Sequence, residues 1–232
     1  MKMRYCVCCV LSLVVFFHNL RGQSQEELLG KLRQKMDQVN NYSADVEMKT
    51  EVSFLNVPVS VVEVYFRKPD EFRIKKKDGI SILPRGGMNV NLFNIMKPGT
   101  YVSVPAGESV LEGRTMKLIK LLPIDEKSDI QIATLYVDEP KLLVRKVVTT
   151  TRENGTLEML LDFGSYEKWA LPDKVTVLFS TKDYQMPKGF TFEYEDGAKS
   201  SASTKKDDGK GRLVMRYKSY TINKGVPAEI FR

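Results

Sequence analysis

Hydrophobic residues recur at helical spacing in one part of this chain and at strand spacing along most of the rest. Residues 25–41, QEELLGKLRQKMDQVNN, follow the pattern of an amphipathic helix, and the glutamates near its start suit the positive end of a helix dipole. The apolar positions are Leu28, Leu29, Leu32, Met36 and Val39. The spacing predicts one helix at the start of the folded domain.

From residue 44 onward the period of the apolar positions changes to two. Residues 44–54 alternate apolar and polar side chains, and the alternation continues through 59–67 and 71–77. This pattern is typical of antiparallel strands with one buried and one solvated face. Further strands are predicted at 130–138, 142–152, 156–163, 174–181, 189–194 and 213–222. Asn154-Gly155, between two of them, is a strong hairpin signal.

Residues 80–123 show no sustained period, because glycine, proline and apolar residues are mixed there. A short helix closed by Pro98 and Gly99 is predicted within this segment, and residues 115–123 are compatible with either a helical turn or a strand. The residues of the short helix are Leu92, Phe93, Ile95 and Met96. A sheet with one apolar face must curl or receive a helix against that face. The N-terminal helix and segment 80–123 are therefore expected to cover it.

The first 24 residues have the build of a secretory signal peptide. Lys2 and Arg4 precede an apolar run that ends near Phe17, and a polar segment follows. The run is shorter than the ~20 residues needed to span a bilayer, which disfavours an N-terminal membrane anchor. Cleavage is expected after Ser24, with Gly22 as the alternative. The remaining 232 − 24 = 208 residues suit one domain, 25–232.

Removal of residues 1–24 would take away all three cysteines and the single histidine, His18. The mature chain then lacks the groups for disulfides, thiol nucleophiles, histidine-based acid/base catalysis and Cys–His zinc sites. No acidic residue stands in a recognisable catalytic setting, so we predict no enzyme activity, no catalytic residue, no metal and no cofactor.

The charge of the mature chain is only mildly basic. The predicted signal peptide carries three basic residues and no acidic one. The mature chain therefore has 36 − 3 = 33 basic and 29 acidic residues, a net charge of +4. This points weakly to an anionic partner such as a membrane surface, and it argues against nucleic acid. A polar stretch at about residues 196–212 cannot bury enough apolar surface to order itself, and a flexible loop is predicted there.

Pro69 interrupts the alternation of residues 64–74, VYFRKPDEFRI. Proline cannot donate a hydrogen bond to a neighbouring strand, so it is tolerated only at an edge, a bulge or a turn. Followed by Asp70-Glu71, Pro69 fits a tight turn or a sharp corner between two strands.

The segment YFRKPDEFR, residues 65–73, resembles the signature of LolA-type lipoprotein carriers and the related outer membrane lipoprotein-sorting proteins. Other features agree in order: a signal peptide, an amphipathic helix, Leu171-Pro172 before a late strand, and the ending YKSYTINKGVPAEIFR. In that ending the matching residues are Tyr217, Asn223, Gly225 and Phe231. The likeness covers nearly the whole mature chain in layout.

The resemblance implies a mainly β (α+β) fold, an unclosed antiparallel half-barrel with an N-terminal helix and a short helical or irregular lid segment in its cavity. It implies a monomeric, non-enzymatic carrier in the periplasm of a Gram-negative-type bacterium. The cavity would bind a lipid or lipoprotein acyl chain, and sorting to the outer membrane would involve inner- and outer-membrane lipoprotein machinery. An alternative is a sensing module of the same fold that acts through a protein partner.

The candidate cavity residues come from the predicted strands and the short helix. They are Val46, Met48, Phe54, Val62, Val64, Phe66, Phe72, Ile74, Leu92, Phe93 and Met96. Ten methionines less Met1 and Met3 leave eight in the mature chain, and thioether side chains repack readily around a flexible ligand. The same methionines also suit ordinary core packing, and the sequence leaves both interpretations open.

Overall fold

The computed structural model describes residues 25–52, 55–56, 58–78, 92–152, 155–180 and 209–231. Eleven strands and two α-helices lie in these ranges, with a 3-10 helix at Glu167–Trp169 and another at Ala228–Phe231. Helix α1 covers residues 25–36, and α2 is Leu92–Ile95. No helix in the described ranges has both the length and the apolar character needed to cross a membrane.

The strands follow the predicted alternation closely. They are β1 (Asn41–Val52), β2 (Leu55–Asn56), β3 (Ser60–Arg67), β4 (Glu71–Asp78), β5 (Tyr101–Leu111), β6 (Arg114–Pro123), β7 (Ile130–Asp138), β8 (Leu143–Thr151), β9 (Thr156–Asp162), β10 (Lys174–Ser180) and β11 (Lys210–Ile222). Strands β8 and β9 form the hairpin predicted at Asn154-Gly155, and Gly155 has a positive φ of 66° there. Glycine adopts that conformation without steric cost.

One antiparallel sheet contains all the strands, in the order β4-β3-β1-β11-β10-β9-β8-β7-β6-β5, with β2 paired to β1. Strand β1 lies between β3 and β11, which brings the two ends of the domain together. Strands β4 and β5 are the two edges and are not paired with each other, so the sheet does not close on itself. The predicted half-barrel is therefore confirmed.

The core lies on one side of the sheet, which we call the inner face. Register pairs Tyr42, Ala44 and Val46 of β1 with residues of β3 that are also buried. Helix α1 lies on this face, with Leu29 and Val39 at its interface fully buried. Burying such a side chain contributes roughly 1.5–3 kcal/mol, so the amphipathic pattern of the helix accounts for its position.

Segment 80–123 was predicted to be irregular and to cover the apolar face of the sheet, and much of it is instead part of the sheet. The short helix α2 is present, but residues 101–123 form the hairpin β5–β6, and the ambiguous stretch 115–123 is strand. Strand β5 is an edge strand with much of both faces exposed, and its register shifts between Pro105 and Glu108. Because both faces of an exposed edge strand contact solvent, its sequence need not alternate apolar and polar residues, and periodicity does not predict it. Residues 79–91 lie outside the described ranges.

The loop predicted at residues 196–212 is too long at its C-terminal end. Residues 210–212 belong to strand β11, because Arg212 and its neighbours pair with both β1 and β10. The rest of that loop and the predicted strand at 189–194 lie outside the described ranges.

Candidate functional site

Nine of the eleven candidate cavity residues meet on the inner face. Six are at most 1% exposed and share one core cluster: Val46, Met48, Val62, Val64, Phe66 and Met96. Phe72, Ile74 and Leu92 are half-buried and pack against that cluster. Phe54 and the side chain of Phe93 lie outside the described part of the chain. The nine described residues belong to, or pack against, the same core cluster as the apolar residues of α1, and their role as a lipid-binding cavity stays a prediction.

Two residues of α1, Glu26 near its start and Arg33 in its C-terminal half, make polar contacts with the edge strand β5. Arg33 donates a hydrogen bond from Nη1 to the Tyr101 hydroxyl at 2.6 Å, and that hydroxyl donates to the Met96 carbonyl at 3.4 Å. The Ser103 hydroxyl donates to the Glu26 carboxylate. Burial raises the pKa of Tyr101, which keeps its hydroxyl neutral and able to donate.

The C-terminal end of α1 is held by Asn223, which follows the last strand. Its Oδ1 accepts from the backbone N–H of Asn40 at 2.7 Å and of Asn41 at 3.3 Å, and its Nδ2 donates to the Gln38 carbonyl at 2.8 Å. Asn223 has a φ of 57°, a left-handed conformation in which asparagine is enriched. This explains the asparagine of the C-terminal motif: it closes the turn between α1 and β1.

Pro69 lies in the turn of the β3–β4 hairpin, so the tight turn is the correct one of its two interpretations. The Lys68–Pro69 peptide is cis, and β3 and β4 are paired up to Arg67 and Glu71 on either side of the turn. Lys68 donates from Nζ to the Asp37 carbonyl at 2.7 Å and forms an ion pair with its carboxylate at 2.9 Å. The hairpin therefore also holds the end of α1.

The two segments that carried the family resemblance contact each other. The Arg67 guanidinium forms an ion pair with Glu71 and lies 4.7 Å from the centre of the Phe231 ring. Arg73 donates from Nη2 to the Phe231 carbonyl at 2.9 Å. The proline motif and the C-terminal motif thus form one structural unit beside the end of α1.

A tyrosine cluster borders the inner face near the same end, and sequence analysis did not identify it. Tyr217 and Tyr220 are stacked at 5.0 Å, while Tyr42 and Tyr166 meet Tyr220 edge-on at 5.3 and 4.8 Å. Desolvation raises the pKa of Tyr42, Tyr217 and Tyr220. A bulge in the β1–β11 pairing brings Tyr217 and Tyr220 to one face. In a regular strand, residues three positions apart point to opposite faces, so two tyrosines at this spacing lie on one face only if the strand has a bulge. This spacing was the signal in the sequence that could have identified the cluster.

The side chains that converge on the inner face are aliphatic, aromatic and thioether groups. The core methionines come from α1, from the residue that follows α2, and from three strands: Met36, Met96, Met48, Met159 and Met215. Such groups bind apolar molecules by contact and desolvation, and thioether side chains adapt to irregular shapes. Within the described ranges, no three His, Cys, Asp or Glu side chains are grouped so that they could hold a metal ion.

Comparisons with known proteins identify the fold. No family model matches the chain, and no curated protein matches it. Among solved structures, an outer membrane lipoprotein-sorting protein domain from Vibrio parahaemolyticus is similar, with a TM-score of 0.57 at 9% identity over 89% of this chain and 97% of that one. A LolA superfamily protein from Nitrosomonas europaea has a TM-score of 0.56 at 12% identity, over 89% of this chain and 96% of that one.

A DUF1329 family protein from Desulfovibrio piger is similar to the same extent, with a TM-score of 0.56 at 10% identity over 91% of this chain and 97% of that one. These likenesses extend over most of each chain and confirm that the resemblance seen in residues 65–73 and in the C-terminal motif reflects a shared fold.

Proposed function

We propose that this protein is a non-enzymatic carrier that binds the acyl chain of a lipid or lipoprotein between helix α1 and the inner face of the sheet. The observation that carries the proposal is the apolar core cluster that α1 shares with the inner face, together with the attachment of α1 to the edge strand through Arg33–Tyr101 and Glu26–Ser103. The LolA-like fold supports it, since one of the similar solved structures is an outer membrane lipoprotein-sorting protein domain.

Opening would begin at the start of α1 and would break both contacts of the helix with β5, Glu26–Ser103 and Arg33–Tyr101. Its hydrogen bonds to β5 involve half-buried and exposed groups, and water replaces such bonds at a net cost of about 0.5–1.5 kcal/mol each. The other end of α1 is held by Asn223 and the proline hairpin and is joined to β1. The helix would therefore rotate about residues 37–40 and expose Val46, Met48 and Val64.

An acyl chain would replace contacts that the opened helix gives up. The exposed apolar surface would be unfavourable in water at roughly 25 cal/mol per Å², and a bound acyl chain would cover it again. The methionines of α1, β9 and β11 can adjust to chains of different length because their side chains repack readily. The expected setting is the periplasm, where a monomer would pass its cargo between membrane-bound lipoprotein machinery.

The test uses the absence of cysteine from residues 25–232. A Glu26→Cys and Ser103→Cys pair joined by a short bismaleimide would hold α1 against β5. Displacement of an apolar fluorescent dye by fatty acid should occur in the unlinked double variant and be lost after cross-linking. A Glu63→Cys and Lys77→Cys pair is the matched control, because those side chains contact each other at 2.9 Å on the opposite face of the sheet.

Native mass spectrometry of the purified mature protein provides the second readout, and co-purified lipid is expected. Equal dye displacement before and after cross-linking of residues 26 and 103 would contradict binding beneath α1. A lipid-free mass together with no displacement by any fatty acid would exclude the carrier and favour the sensing module, which acts through a protein partner.

A further inference from the structure

A second pocket, of about 110 Å³, lies where strand β8 parts from β9, beside the tip of the β5–β6 hairpin. The pairing of β8 with β9 ends at Lys146 and Leu160, whereas β9 continues to Asp162 beside Lys174 of β10. The pocket is well below the ~300–1,000 Å³ typical of sites for drug-sized ligands. Its size suits one small polar group and not an acyl chain.

Arg145 of β8 is the principal charged group in this pocket. It is the extra residue of a bulge in the β7–β8 pairing, and its side chain is only 11% exposed. Its Nε lies 3.4 Å from Oδ2 of Asp138, and its Nη2 lies 3.8 Å from Oε2 of Glu167. Charge-assisted hydrogen bonds are normally about 2.7–2.9 Å long. The Nε of Arg145 donates one long hydrogen bond to Asp138, and its Cζ lies 5.1 Å from the centre of the Phe163 ring. The described residues give its two Nη atoms no hydrogen-bond partner.

Two further cations line the same pocket. Arg114 approaches Oδ2 of the same Asp138 carboxylate only to 3.9 Å, and Lys174 forms a close ion pair with Asp162 at 2.6 Å. The pocket-lining charges are thus three cations against Asp162 and Glu112. Asp162 is neutralised by its lysine, and Asp138 and Glu167 approach the arginines to no closer than 3.4 Å from outside the lining. Arg114 and Arg145 are therefore the donors available to an incoming anion, with Glu112 as the opposing charge in the lining.

We propose that this pocket binds a phosphate group through Arg145 and Arg114. Their donors come from strands β8 and β6, with Lys174 of β10 beside them, and an approach from several directions suits a tetrahedral oxyanion better than a planar carboxylate. Leu111, Met116 and Leu160 form an apolar wall that strengthens the electrostatic attraction by excluding water.

The phosphate could belong to a lipid headgroup or be free phosphate. Leu161 lines the pocket and is also a member of the core cluster on the inner face, whereas its neighbours Leu160 and Asp162 line the pocket from the outer face. A headgroup held by the arginines would lie on the outer face, across β9 from the apolar core. Only the lipid source depends on the proposed carrier function, because free phosphate needs no cavity for an acyl chain.

The experiment measures phosphate binding to the mature protein by isothermal titration calorimetry and by the midpoint of thermal unfolding, with chloride at matched ionic strength as the reference. Inorganic phosphate should bind and raise the midpoint, and Arg114→Met should weaken binding about tenfold or more. Arg212→Met is the matched control: Arg114 and Arg212 are 55% and 56% exposed, and their carboxylate partners lie 3.9 and 3.8 Å away. Arg212→Met should bind phosphate as tightly as the parent protein does.

Arg145→Met should abolish phosphate binding. If removal of this buried arginine prevents folding, Arg114→Met still tests the proposal.

Lysophosphatidylglycerol and a monoacylglycerol with the same acyl chain, both below their critical micelle concentrations, distinguish a lipid headgroup from free phosphate. Tighter binding of the phospholipid, lost in Arg114→Met, assigns a headgroup; phosphate binding with equal affinity for the two lipids assigns free phosphate. No response to phosphate, or an equal loss in Arg114→Met and Arg212→Met, would overturn the proposal. Binding of the monoacylglycerol reports on the carrier function alone.

Discussion

The two faces of the sheet are built from the same strands but stabilise the protein in different ways. On strand β1, Ala44, Val46 and Met48 are buried on the inner face, whereas Asp45 and Glu47 form ion pairs with lysines on the outer face. Burial of an apolar side chain contributes roughly 1.5–3 kcal/mol, while an exposed ion pair contributes about 0–1 kcal/mol. Stability and the proposed acyl binding therefore depend on the inner face, and the outer face provides charge.

The largest expected difference between the faces is between two adjacent leucines of β9. Leu161 is buried on the inner face, whereas Leu160 is half-buried and belongs to the outer face. Leu161→Ala should lower the free energy of unfolding by about 2–5 kcal/mol, since it leaves a cavity in the core. Leu160→Ala should cost less than about 1.5 kcal/mol. Urea denaturation of both variants measures the difference, and equal losses would show that the core is not confined to one face.

Two glycines provide the next comparison, because added methyl groups should have opposite effects. A Cβ at Gly211 would lie 2.3 Å from the ring of Phe179, so Gly211→Ala should destabilise the protein by about 1–3 kcal/mol. A Cβ at Gly30 in α1 would meet only Arg33, at 3.9 Å, and Gly30→Ala should stabilise by about 0.5–1 kcal/mol through helix propensity. Thermal unfolding measures both, and destabilisation by Gly30→Ala would indicate a tighter helix–sheet contact than the structure shows.

The dependence of stability on pH provides the last comparison between the two faces. Desolvation raises the pKa of Tyr42, Tyr217 and Tyr220 above the ordinary value of 10.0. Their neutral forms stabilise the fold fully below about pH 10, and this contribution is lost as the pH rises further. Tyr220→Phe, which removes the hydrogen bond to the Pro172 carbonyl, should cost about 0.5–1.5 kcal/mol at neutral pH and reduce the alkaline loss. Circular dichroism of the parent protein and of Tyr220→Phe between pH 8 and 12 measures the alkaline loss of folded protein.

The outer face supplies the control for this titration at acidic pH. Hydrogen bonds from Lys77 and Lys49 lower the pKa of Asp45 and Glu51 respectively, so their contributions are present above the ordinary values of 3.8 and 4.5 and are lost as the pH falls. These groups are exposed, and the loss should be small and reduced by salt. An acid loss larger than the alkaline one would reverse the assignment of stability to the inner face.

Much of the fold and part of the candidate site were predictable from local patterns. The helical spacing of residues 25–41 and the alternation of residues 44–77 identified α1, β1, β3 and β4, because each buries one face. The same alternation identified residues of the core cluster that α1 shares with the sheet. Strand β5 was missed because an exposed edge strand with a register shift has no apolar period, and β6 was left open between a helical turn and a strand because its apolar run is short. The paired arginines Arg114 and Arg145 were missed because a bulge and a distant hairpin bring them together.

The chain encodes locally which face of each element is apolar, where its turns lie, and which residues can pack in a core, since these depend on neighbours a few positions away. Folding alone brings together groups far apart in sequence: Asn40 and Asn223 are 183 positions apart, and Arg73 and Phe231 are 158 apart. Such contacts follow from the insertion of β1 between β3 and β11, and no local period records them. The attachment of α1 and the phosphate pocket were therefore visible only in the assembled sheet.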